Sequence, residues 1–495
     1  MKSIIITLLL GFSGMTYAQN NLSGTVTDQK NIPLVGVSVY APEIHKGTIT
    51  DTDGKYTLNN VPAGAVKLIF SYIGYNTKEQ TVTSEKELTV DVVLEESIHQ
   101  MDEVIVSTGF NRLQSQNAMK VEHAGIKDMQ RQGVATLAEG LATIPGVSQV
   151  STGTSIGKPV IRGLSGNRVL VYSQGVRLEN QQFGDEHGLG LNDSGIESVE
   201  VIKGPASLLY GSDALGGVLY FNPEKFADAK TFKSDFSQKL FSNTLGSNTS
   251  FGAKGSTESW KFLLRGDYST HSDYQIPDGD RVTNTRYNET DIKTGIGYND
   301  SKFSTVFRYN FNTLNLGIPE NGIAEQTLSK SPDFPKQEVV NQIFSLHNNF
   351  FFGSSKLDAD IGYIANDRSE FTDTNGASLH MKLNTLNYDL KYHFANWGKF
   401  ETIAGIQGIS QTNRNSGREY LIPDAQTDDF GIFGTTNYSW KSNVIQAGLR
   451  YDNRKIASET NGIEGAEGYF AATDRSFDSF NASIGYKTDL ADNLN

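Results

Sequence analysis

A mostly β chain in three parts is predicted: a small β-sandwich, an α+β segment, and a transmembrane antiparallel β-barrel. Three observations predict it. Among 495 residues there are 27 Phe, 21 Tyr and 49 Gly against only 3 Trp, a mix suited to many twisted strands. Apolar and polar residues alternate with period two again and again after about Pro223. The mean hydropathy is only −0.38, and no long apolar stretch follows the first residues. A membrane span here would therefore use strands, whose lipid-facing and lumen-facing residues cancel in the average.

Residues 1–18 read as a secretory signal. Lys2 supplies the positive start, Ile4 to Phe12 the apolar core, and Thr16-Tyr17-Ala18 a small-residue cleavage site before Gln19. That run is too short for a membrane helix, which needs ~20 residues. Cysteine is absent, so disulfides, thiolate metal sites and thiol nucleophiles are excluded. A net charge of −13 argues against a nucleic-acid partner.

Residues 22–95 carry short alternating segments: Ser23 to Thr27, Val37 to Tyr40, Lys55 to Leu58, Val66 to Phe70 and Leu88 to Leu94. Asn31 with Pro33, Asp53-Gly54 and Pro62-Ala63-Gly64 supply turns between them. This spacing predicts the sandwich. Asp51 and Asp53 before Gly54 suit a hairpin turn better than a calcium loop, whose twelfth position would fall on Pro62. Gly24-Thr25-Val26, Pro33 to Val37, Thr50 to Tyr56 and Ser71 to Tyr75 resemble the carboxypeptidase regulatory-like (transthyretin-like) domain.

Residues 101–222 mix both periodicities. Leu137, Leu141 and Ile144 keep helical spacing until Pro145-Gly146 stops it; strands are expected at Val160-Ile161, Arg168 to Tyr172 and Ile196 to Ile202. From 223 to 495 the strands read as two-faced. In Trp260 to Tyr268, Trp260, Phe262, Leu264, Gly266 and Tyr268 oppose Lys261, Arg265 and Asp267. Leu386 to Phe394 repeats the pattern, as do segments at Thr305 to Phe311, Leu357 to Tyr363, Ile445 to Tyr451 and Phe480 to Tyr486.

The middle segment carries the most specific motifs. Leu137 to Val147, Pro159 to Leu164, Asn167 to Val171, Ile196 to Gly211 and Ala214 to Val218 together resemble the plug domain of TonB-dependent outer-membrane receptors, of the Bacteroidetes type with an N-terminal regulatory-like domain. Ser173-Gln174-Gly175 replaces the family's usual Val-Asp-Gly. The resemblance implies a plug inside a 22-stranded barrel in the cell outer membrane, of which 223–495 would be the early, incomplete part. It implies TonB and its inner-membrane energising complex as partners, outer-membrane lipid around the barrel, and in some members a surface lipoprotein. Met101 to Ser107 resembles the TonB box, so Asp102, Glu103, Val104, Ile105 and Val106 are the expected TonB contacts. An extended β-branched segment can add as a strand to a partner sheet; a first plug strand or linker is the plainer reading.

Phe183 to Leu189 resembles the Asp-His-Gly loop of the zinc-uptake branch. This nominates Asp185, Glu186 and His187 as metal or cargo ligands, with His271 and Asp273 joining from an outer loop. Carboxylate and imidazole are fitting Zn²⁺ ligands. The His-rich outer loop of some zinc receptors has no counterpart near Leu316 to Glu320. A ferric siderophore is the parallel expectation, and glycan, peptide, haem or cobalamin cargo, or an adhesin or signalling role, are the alternatives. No enzyme is expected: His-Glu-x-x-His and phosphate loops are absent.

Overall fold

The computed structural model describes residues 20–488, apart from 73–74, 85–86, 97–103, 106, 108–109, 111, 114–120, 180–183, 185, 204–207, 212, 321, 463 and 466–467. The signal segment, Asp102, Glu103, Val106 and Asp185 lie outside the described residues.

The N-terminal segment builds two four-stranded sheets. In one, the strand Asn20–Asp28 pairs with Lys55–Val61, Glu87–Thr89 and Val92–Leu94; in the other, Ser38–Ala41 lies between Lys46–Ile49 and Gly64–Ser71, and Lys78–Ser84 closes the edge. Leu22, Val26, Val39, Tyr56, Leu58, Leu68 and Phe70 fill the space between them. The alternation of Asn20–Asp28, every second residue buried, is what sequence period two requires of a half-buried strand. The turn at Asp51, expected as a hairpin, instead carries the chain from one sheet to the other: its Oδ1 accepts from the amides of Asp53 and Lys55, both at 2.9 Å.

The middle segment forms a five-stranded sheet over Val121–Gly125, Ile196–Ile202, Gly217–Pro223, Val169–Ser173 and Val176–Leu178, in that spatial order, with a separate hairpin Val147–Ser151/Gly157–Ile161. The predicted helix is short, Leu137–Leu141. Thr136 caps it, accepting from the Glu139 amide at 3.3 Å. Gly146 then turns the chain at φ +76°, a conformation that suits glycine.

Twelve antiparallel strands in sequential order follow, from Thr231–Phe241 to Thr473–Thr488. They run from 11 to 17 residues, long enough for a tilted membrane strand. Trp260, Phe262, Leu264 and Tyr268 face outward and remain exposed, while Lys261 and Asp267 point inward and are buried. The inner face wraps the middle segment: Lys239 on the first strand reaches Asp193 at 3.9 Å, and Arg454 on the eleventh pairs with Asp213. One end of the sheet has short turns at 257–259, 300–302 and 353–354; the other carries the long loops 272–286, 318–335 and 459–472. Among the described residues no helix is long and apolar enough to cross a membrane.

Candidate functional site at the outer rim

Backbone contacts hold the loop after residue 183 close to the plug hairpin. The Leu189 amide donates to Gly157 O at 2.9 Å, and Lys158 Nζ donates to Gly184 O. Gly188 is needed here, because a Cβ would lie 3.1 Å from Gly157 N. This lacing aims His187 sideways at the sheet wall, where its side chain is fully buried.

His187 Nε2 lies 2.6 Å from Glu370 Oε1. Glu370 sits one residue from the end of the strand Ser355–Phe371, on the long-loop side. Gln337 Nε2 donates to the same carboxylate at 2.8 Å, and Arg368 Nη1 donates to Gln337 Oε1 at 2.5 Å. Ligand atoms of Glu186, His187 and Glu370 lie within 4.8 Å of one another. Burial holds His187 below its ordinary pKa, Arg368 pushes the same way, and Glu370 opposes them. The imidazole therefore tends to be neutral, the form that binds a metal. Two carboxylates and an imidazole form an oxygen and nitrogen donor set suited to a divalent cation such as Zn²⁺, with further positions left for cargo ligands. Such an ion would replace the shared proton and widen the His187–Glu370 spacing to ~3.3 Å, the separation of two ligands at ~2.0 Å in a tetrahedron.

His271 and Asp273 stand outside this group of three. His271 Nδ1 bonds Thr244 Oγ1 at 2.7 Å, and the ring stacks on Tyr287 at 4.6 Å. Asp273 accepts from the Arg286 amide at 2.9 Å. Both tie the neck of the 272–286 loop, because strand pairing places His271 opposite Tyr287. Sequence reasoning missed Glu370. Its signal was the inward alternation Asn366, Arg368, Glu370 at a strand end, a polar run aimed at whatever the sheet encloses.

At the other end of the plug, Val104–Ile105 pairs with Arg112–Leu113. Ile105 is buried against Val121, Ile202 and Tyr210. The Ser107 amide donates to Glu200 Oε2 at 2.9 Å, and Tyr210 donates to Ser107 O. Val104, Ile105 and Ser107, the described part of the segment expected to offer a free strand, are thus seated on the plug.

Residues 114–218 match the family model for the TonB-dependent receptor plug domain, and 22–106 match the CarboxypepD_reg-like domain. The chain thus carries the plug domain of TonB-dependent receptors behind a CarboxypepD_reg-like domain. A TonB-dependent receptor of Formosa agariphila is 32% identical over 233 residues, covering 44% of this chain and 21% of that protein. The TonB-dependent receptor SusC of Bacteroides thetaiotaomicron is 30% identical over 241 residues, 46% of this chain and 23% of its own length. The chain thus spans under a quarter of these two receptors in the matched region. The copper transporter OprC shares the fold, with a TM-score of 0.63 at 18% identity, over 76% of this chain and 63% of OprC.

Proposed function

We propose that the protein is an uptake receptor of the cell outer membrane that binds a metal ion or small metal chelate at its outer rim and passes it inward in a TonB-energised cycle. One observation carries the reading: Glu186 and His187 on a plug loop converge with Glu370 of the sheet wall. Cargo held by both parts would be released when the plug moves relative to the wall. That is a binding site whose affinity depends on the state of the plug, as directional transport requires. Asp185 is a candidate fourth ligand.

Calorimetric titration of the purified receptor tests this, with Zn²⁺ and a ferric chelate as probes. His187→Ala and Glu370→Gln should each weaken Zn²⁺ binding at least tenfold, since each removes one ligand of a small set. Unchanged Zn²⁺ affinity with tight chelate binding would replace the zinc reading by a siderophore one. Binding of neither probe would point to organic cargo.

TonB contact is proposed at Asp102 to Val106. Its β-branched residues could pair with a partner strand after leaving the plug. Val104→Pro removes a backbone donor. It should reduce capture of the receptor by the purified TonB C-terminal domain and leave Zn²⁺ titration unchanged. Equal capture would move the contact elsewhere.

A further inference from the structure

The short-turn end of the sheet is closed by the N-terminal sandwich. Residues Pro42–Ile44 form a single 3₁₀ turn ending at His45, which takes the left-handed conformation at φ 46°. This turn enters the mouth of the sheet, and the wall grips its backbone. Lys261 Nζ donates to Ile44 O at 2.7 Å and to His45 O at 2.5 Å. Asn299 Nδ2 donates to Ile44 O at 2.7 Å, and Asn349 Nδ2 donates to Glu43 O at 2.8 Å. These three donors come from three different strands, Trp260–His271, Tyr287–Asn299 and Lys336–Phe352. All three are buried. A turn presenting successive carbonyls to a ring of side-chain donors is held by its shape, and each donor would be left without that bond if the turn withdrew.

A second ring of contacts surrounds the first. Lys46 Nζ lies 3.6 Å from Glu258 Oε2 and also donates to Asn59 O at 2.7 Å. Asn59 Nδ2 donates to Glu258 Oε1 at 2.9 Å, and Asn60 Nδ2 to Ser259 Oγ at 3.1 Å. Gly64 meets the turn at Gly353 so closely that a Cβ on it would fall 1.7 Å from Gly353 O. Lys67 pairs with Glu79 at 2.8 Å and donates to Phe110 O at 2.9 Å, in the segment that follows Val104–Ile105.

We infer that the sandwich is an intramolecular lid on the inner mouth of the barrel, with residues 42–45 as its stopper. The stopper occupies the path that a solute leaving the lumen at this end would take. The lid must therefore come away in the same cycle that moves the plug, and its Lys67 contact ties it to Phe110, just beyond the segment proposed to meet TonB. The closure rests on these docking contacts; that it must open rests on the uptake proposed above, whatever the cargo.

Because the chain has no cysteine, a single Asn299→Cys reports on the lid. Asn299 is fully buried beneath the turn. Labelling by a bulky polar maleimide, on purified receptor, should be slow in Asn299→Cys alone. It should quicken roughly tenfold or more when Glu258→Lys is added, which sets like charges against Lys46, or when Lys261→Met is added, which removes two hydrogen bonds to the turn. Glu258 lies on a turn, so its variant keeps the test alive if Lys261→Met disturbs the strand. Because Asn299→Cys itself removes one bond to the turn, Ser304→Cys, fully buried and bonded to Asn299 instead, serves as a second reporter; equal rates with and without the added substitutions at Ser304→Cys would overturn the lid.

Discussion

The sandwich and the plug are both small β-rich units, yet they are held together differently. The sandwich core is nearly self-contained: of its cluster, from Leu22 to Leu94, only the half-buried Phe351 comes from the sheet wall. The plug shares its cores with the wall, through Ile343 and Ile364 on one side and Ile403 and Phe433 on the other. Its margin is ionic: Arg177 pairs with Asp213 at 2.6 Å, and Arg454 of the wall joins Asp213 and Asp429. A unit with its own apolar core can leave as a body and return. A unit that borrows its core loosens when it is pulled from its surroundings, which suits a plug that must rearrange within a standing wall.

The largest test of this contrast is to excise both units. A fragment of residues 19–95 should show β-type circular dichroism and a cooperative thermal transition, whereas 101–222 alone should show neither. A cooperative plug fragment would remove the distinction. Within the sandwich, Phe70→Ala deletes a fully buried ring and should cost about 3–5 kcal/mol, read from the melting of the fragment. At the plug margin, Asp213→Asn takes a charge from between two arginines. It should cost about 1–3 kcal/mol, reduced because the carboxylate keeps some solvent contact. Hydrogen exchange should then speed up over Val169–Ser173 and Val176–Leu178 and stay unchanged over the sandwich strands.

The smallest expected effect is the pH response of the lid. Burial holds His45 well below its ordinary pKa, and His347, Lys261, Arg308 and Lys356 all push the same way. Docking therefore favours the neutral ring. Once pH falls below ~6.5 the undocked ring takes up a proton that the docked one refuses, so docking weakens. Glu43 acts in the opposite sense: burial raises its pKa, with Asp358 adding to the rise and Lys356 and Lys67 opposing it, so acid favours its docked form. In Glu43→Gln that opposing response is removed, leaving His45 with the His347 ring 5.3 Å away. Labelling of Asn299→Cys, divided at each pH by the rate for the same protein unfolded in denaturant so that the loss of thiolate cancels, should then rise a few-fold between about pH 7.5 and about pH 5.5. A flat profile would show that His45 does not feel docking.

What could be read beforehand was what repeats along the chain. The faces of Trp260 to Tyr268 and the helix before Pro145-Gly146 follow from local periodicity, which needs no knowledge of neighbours. The plug motifs were legible because many short blocks occur in order. Glu370 was not, because its role depends on where the plug loop lies against a strand distant in sequence. The place of His271 was hidden for the related reason that only strand register shows Tyr287 beside it. The lid was invisible for a third: the wall recognises the carbonyls of residues 43–45, and any sequence has carbonyls.

The meeting of Gly64 with Gly353 sets a manufacturing tolerance for the whole assembly. Two bare backbones touch there, one at the left-handed φ of +109° and the other at +63°, so no side chain can act as a spacer. Most contacts between domains absorb a methyl group by small rotations of flexible side chains, but this one has none to rotate. A methyl at position 64 would work as a shim, lifting one edge of the sandwich while the carbonyls of the stopper still reach for Lys261 and Asn299. The length of the turn at 353–354 and the bend at residue 64 are therefore matched parts, and a change in either one should be tolerated only with a compensating change in the other.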